Sequence, residues 1–226
     1  MKLFVLFGLV GAFMATSVQA APGTSECAGL PACIDVPGPW VFVSAGAEAP
    51  FLLDCPQRRG VVGGVDALAS SRDIHVTWDG LLGGPVAPGR TTTRYTFFRG
   101  ISGHQRAGFY QPRIGCIPST SGQRQTTSAR AITPTGAPLD LAAATIPVSP
   151  GSNHASTVGC ANKEHLVNAW TAVAFGSAAP PPTAFASAVE IKRQIVHGEV
   201  RVSVAVSEAL PAAVKPLVQV GVACTR

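Results

Sequence analysis

The chain has 226 residues, 46% of them hydrophobic and 13% charged, with 24 glycines, 19 prolines and six cysteines. It carries 17 Lys and Arg against 12 Asp and Glu, for a formal net charge of +5. Glycine and proline interrupt the chain too often for long helices, so helical architectures are excluded first.

Residues 1 to 20 combine Lys2, an apolar run from Leu3 to Ala15 and the small-x-small ending Val18-Gln19-Ala20, the pattern of a secretory signal peptide with cleavage expected after Ala20. The apolar run is shorter than a bilayer span needs, and the rest of the chain shows no membrane span. All six cysteines (Cys27, Cys33, Cys55, Cys116, Cys160 and Cys224) follow the leader. An even number in an exported chain reads as disulfides. No Cys-x-x-Cys and no paired His supports a zinc site, and no metal or cofactor is expected.

From 21 to 39 the chain is an N-terminal arm with a small Cys27–Cys33 loop. A first β unit is expected over 40–118. Trp40 to Ser44 and Phe51 to Cys55 read as short strands, the second with Phe51, Leu53 and Cys55 on one face. Asp73 to Trp78 places Ile74, Val76 and Trp78 together and His75 opposite. Thr91 to Arg99 is dense in Thr, Tyr and Phe. Phe109 to Cys116 closes the unit, and Pro112 assigns that strand to an edge, because proline cannot donate to a neighbour.

Residues 119–153 are dominated by Ser, Thr, Pro, Gly and Ala, a linker or long loop in which Leu139 to Val148 is a candidate extended edge. A second β unit follows over 154–226. Ser187 to Val196 and Glu199 to Ser207 flank His197-Gly198, the signature of a tight hairpin. Val200, Val202, Val204 and Val206 alternate with Arg, Ser and Ala, as do Val218, Val220, Val222 and Cys224 in the last strand. The stretch after Cys160 lays over the stretch after Cys55, which suggests an internal duplication with bridges Cys55–Cys116 and Cys160–Cys224. A Cys116–Cys160 bridge is the competing pattern. The expected fold is all-β, antiparallel and sandwich-like, built as one or two similar disulfide-closed units.

Chemistry is harder to find. There is no Gly-x-Ser-x-Gly, no nucleotide-binding glycine loop, and the five histidines are scattered. Between Glu48 and Arg130 ten arginines and no lysine stand against five acids. Within that excess Arg90, Arg94, Tyr95, Phe98, Arg99, Arg106, Tyr110 and Arg113 form a basic and aromatic group suited to holding an anionic polymer by charge and stacking. The competing expectation is that the aromatics belong to the core and the arginines to a solvated face. The functional expectation is an exported, non-catalytic bacterial envelope or extracellular binding protein, periplasmic or secreted. Its partner would be an anionic glycan or another envelope protein rather than nucleic acid. A secreted hydrolase and a structural or inhibitory interaction module are the alternatives.

Overall fold

A computed structural model describes residues 34–56, 60–79, 95–103, 106–118, 139–211 and 213–225. The leader, the Cys27–Cys33 loop, Arg90, Arg94 and the stretch 119–138 lie outside the described residues. The first half supplies β1 (Ile34–Pro37), β2 (Trp40–Val43), β3 (Glu48–Asp54), β4 (Gly60–Ala69), β5 (Ile74–Asp79), β6 (Tyr95–Ser102) and β7 (Gly108–Pro118). The second supplies β8 (Asp140–Pro147), β9 (Asn153–Gly159), β10 (His165–Phe175), β11 (Val189–Val196), β12 (Glu199–Val206) and β13 (Pro216–Thr225), with a single 3-10 turn at Thr183–Ala188. Every strand pairing is antiparallel. Among the described residues no helix is long and apolar enough to cross a membrane.

The strands form a seven-stranded sheet and two three-stranded sheets, β3-β6-β5 and β9-β12-β11. The two small sheets are copies of one another. In each, the first strand ends one residue before a cysteine, at Cys55 or Cys160, and pairs with the middle strand in the same register: Glu48 opposite Ile101 and Asp54 opposite Tyr95, Asn153 opposite Ala205 and Gly159 opposite Glu199. The turn entering each is also shared. Gly46 and Gly151 both take a positive φ that favours glycine, and the amides of Ala47 and Ser152 donate to the carbonyls of Ser44 and Ser149.

The large sheet repeats in the same way. β4 and β10 pair with β7 and β13, and each carries a bulge directly after the residue opposite the bridging cysteine, Val62 facing Cys116 and Leu166 facing Cys224. The disulfides Cys55–Cys116 and Cys160–Cys224 therefore occupy equivalent places. With sequence separations of 61 and 64, each restricts the unfolded chain by about 4 kcal/mol in the loop-entropy model. Disulfides of this kind belong to an oxidising, non-cytoplasmic environment.

The two units share the large sheet. Across it the order runs β4, β7, then β1 and β2 end to end, β10, β13 and β8. The joint is made by Val41 opposite Ala174 and Trp40 opposite Phe175. Because strand direction reverses at every step, β7 and β13 run oppositely and the two disulfides sit at opposite ends of the sheet. The second unit is thus turned over relative to the first, a half-turn with a shift along the sheet.

Side-chain alternation on the shared strands gives each small sheet its own face. On β2, Val41 and Val43 enter one core with Phe51, Phe98, Tyr110 and Ile114. Trp40 and Phe42 enter the other, with Val200, Val202, Val204 and Val220. A third, smaller cluster seals the joint, where Trp170 meets Phe97 edge-on at 4.8 Å. A Cβ at Gly221, directly opposite Trp170, would lie 2.0 Å from the indole, so only glycine lets the ring rest on the strand. Beside it, Gln219 accepts from the Leu52 amide at 2.7 Å and donates to the Leu52 carbonyl at 2.8 Å. One side-chain amide thereby pairs with the outer edge of β3 as a neighbouring strand would.

The strand that contains Pro112 is placed differently from the expectation. β7 is an interior strand, not an edge, although it contains Pro112. Proline fits because it stands opposite the break between β1 and β2. The Pro112 carbonyl still accepts from the Gly38 amide at 2.7 Å, and the Gly38 carbonyl receives the Gln111 side-chain amide at 2.9 Å in place of the missing proline N–H. Within 119–153, residues 140–147 form β8, which pairs with β13 from Leu217 to Cys224. The Leu139 to Val148 stretch is thus the extended edge its composition suggested. The hairpin is as the sequence indicated: His197 and Gly198 both have positive φ, the conformation a two-residue turn between twisted strands requires.

Candidate functional site

Of the eight basic and aromatic residues singled out in the sequence, Arg90 and Arg94 lie outside the described residues, and the other six do not share one surface. β6 is the middle strand of its sheet, and Thr96, Phe97 and Phe98 are all buried, Phe98 completely. Tyr110 is also fully buried, its hydroxyl donating to the Ala49 carbonyl at 2.9 Å. Burial pushes the Tyr110 phenol well above its ordinary pKa, with a smaller push from the Glu48 carboxylate and an opposing hydrogen bond at Gly100. Arg113 is 8% exposed and forms an ion pair with Asp35 across the β1–β7 ladder. These side chains hold the fold.

Tyr95, Arg99 and Arg106 remain accessible. Arg99 stands on the outer face of the β3-β6-β5 sheet, between Pro50 and Thr77 on the neighbouring strands. Its guanidinium lies 5.4 Å from the centre of the Phe97 ring and 3.7 Å from the Glu48 carboxylate. Exposed His75, Thr77 and Ile101 surround it on the same face. Arg106 sits on the loop before β7, where its carbonyl accepts from the Ser102 hydroxyl at 2.7 Å.

A second constellation escaped the sequence. An open pocket of about 470 Å³ at the disulfide end of the second unit is lined by Cys160, Glu164, His165, His197 and Glu199. The register that sets Gly159 opposite Glu199 brings the hairpin turn beside the start of β10. Glu164 accepts from the Ala161 amide at 3.1 Å, and Glu199 lies 3.5 Å from Arg201. Both carboxylates are thus committed to local structure. Among the described residues no group of three or more His, Cys, Asp or Glu is arranged to hold a metal ion. The pocket leaves the exposed imidazoles of His165 and His197 at an open rim. The hairpin signal together with the Cys160–Cys224 bridge would have located it.

Compared with known proteins, the chain matches no family model, no curated protein and no solved structure.

Proposed function

We propose that the protein is an exported, non-catalytic binding protein of the bacterial envelope or medium, directed by a cleaved leader, whose ligand is an anionic surface polymer. The observation that carries this reading is exposed Arg99 in the middle strand of an outer sheet face, its guanidinium 5.4 Å from the centre of the Phe97 ring and 3.7 Å from Glu48. A guanidinium oriented by a ring keeps its donors in a plane that suits carboxylate or sulfate groups. Neighbouring Thr77 and His75 supply hydroxyl and imidazole partners for sugar oxygens on the same face. Two disulfide-closed units give that face a rigid support, which lowers the entropic cost of holding a flexible polymer.

The test is retention of the oxidised protein on immobilised heparin at low and high salt. The wild type is expected to bind at low salt and elute as salt rises, because charge contacts are screened. Arg99→Ala, which removes an exposed side chain and its solvent-screened ion pair with Glu48, is expected to elute several-fold earlier in the salt gradient with little change in thermal stability. Equal retention of wild type and variant, or no retention at any salt, defeats the reading.

A further inference from the structure

The in-chain joint has two unused counterparts. It pairs the β2 edge of the first unit with the β10 edge of the second. The equivalent of β10 in the first unit is β4, and the equivalent of β1 and β2 in the second is β8, since Ile34 stands opposite Cys116 as Asp140 stands opposite Cys224. β4 and β8 are the two terminal strands of the large sheet. Among the described residues neither carries the lysine or internal proline that usually guards an edge, although the Asp66 carboxylate on β4 accepts from the Ala67 amide at 2.7 Å. β8 reads Asp140-Leu-Ala-Ala-Ala-Thr-Ile-Pro147, with its charge and proline only at the ends, and β4 carries three glycines and a single charge, Asp66.

We propose that copies of this chain associate head to tail, β8 of one against the β4 edge of the next, so that the large sheet continues from molecule to molecule. The relation between the two units is a half-turn with a shift, which does not close on itself. Repeating it yields an open filament and not a ring or a symmetric dimer.

The contacts that flank the in-chain joint have matching positions at this second joint. Gln111 on β7 holds the place of Gln219 on β13, though its side-chain amide is bound to the Gly38 carbonyl of its own chain, and Thr157 on β9 holds that of Leu52 on β3. The Phe97 and Trp170 pair becomes Arg201 of one copy facing Asp66 of the next, by the registers that set Arg201 opposite Thr157 and Asp66 opposite Arg113. An apolar seal inside the chain is thereby replaced between chains by opposite charges. This complementarity favours a second copy over an unrelated peptide strand, and it makes the association reversible and salt-sensitive. The proposal is independent of any glycan ligand.

Sedimentation velocity over a wide concentration range at low salt tests it. The wild type is expected to sediment faster as concentration rises and to return to monomer in high salt. Leu68→Lys on β4 and Ala142→Lys on β8 alter exposed side chains on the two edge strands, and each variant alone is expected to remain monomeric. Their equimolar mixture is expected to give dimers and nothing longer, because one intact edge of each kind remains. Unfolding curves matching the wild type verify that both variants are folded. Arg201→Glu, away from both edges, is expected to weaken wild-type association. A wild type that stays monomeric throughout, a Leu68→Lys variant that dimerises alone through β8, or assembly unaffected by Arg201→Glu overturns the proposal.

Discussion

Tyr110 shows how a residue that looks like a ligand becomes part of the frame. A Cβ at Gly100 would fall 2.3 Å from its ring, so glycine on β6 makes room for the phenol, and the Ala49 carbonyl accepts the hydrogen bond that its hydroxyl donates. The raised pKa has a definite sign in stability. Below about pH 10, the ordinary value for tyrosine, both folded and unfolded chains keep the phenol protonated and the contribution is intact. Above it the unfolded chain loses the proton first, so stability falls as pH rises toward the folded-state value. Urea unfolding between pH 7 and 11 is expected to show this fall. Tyr110→Phe should lessen it while costing about 1–3 kcal/mol at pH 7, because the Ala49 carbonyl loses its partner. A variant with the wild type's alkaline slope would mean that other groups set it. The burial of Tyr110 and Phe98 is what the competing expectation from the sequence held, that the aromatics belong to the core, but the pattern alone did not decide it. Alternation tells which side chains share a face, but on β6 and β7 packing reaches both faces, and period two then no longer separates inside from outside.

At the scale of elements the sequence was more informative. The valines of β12 and β13, the His197-Gly198 turn and the two long disulfides were legible because period two, positive φ and cysteine spacing are local signals. Pro112 misled because its tolerance depends on a break in a neighbouring strand that no local pattern records. The comparison of β6 with β12 yields a prediction. Thr96 and Val200 occupy matching buried positions, and the Thr96 hydroxyl has no hydrogen-bond partner. Thr96→Val is therefore expected to raise stability by about 1 kcal/mol, read as a higher denaturation midpoint with unchanged slope. A loss of stability instead would show that the hydroxyl is satisfied in solution.

For the whole molecule the matching cysteine intervals were visible in the sequence, but the joint was not. Val41 opposite Ala174 and the Gln219 clasp on Leu52 link residues far apart in sequence, with no periodic trace. The His165 and His197 pocket is assembled by strand register and becomes legible only when the hairpin signal and the Cys160–Cys224 bridge are read together. Since β2 and β10 line both cores, the units are expected to unfold together. Cys55→Ala/Cys116→Ala should lower stability by about 4 kcal/mol and shift one calorimetric transition as a whole. Two separated transitions would mean that each half melts alone.

The position of Cys224 near the end of β13 also bears on mechanical strength. Tension applied to the chain beyond residue 224 enters the Cys160–Cys224 bridge first and passes to the turn between β9 and β10. The last strand therefore cannot be unzipped from its tip. A pull there must shear the sheet broadside, breaking many backbone hydrogen bonds at once instead of one after another.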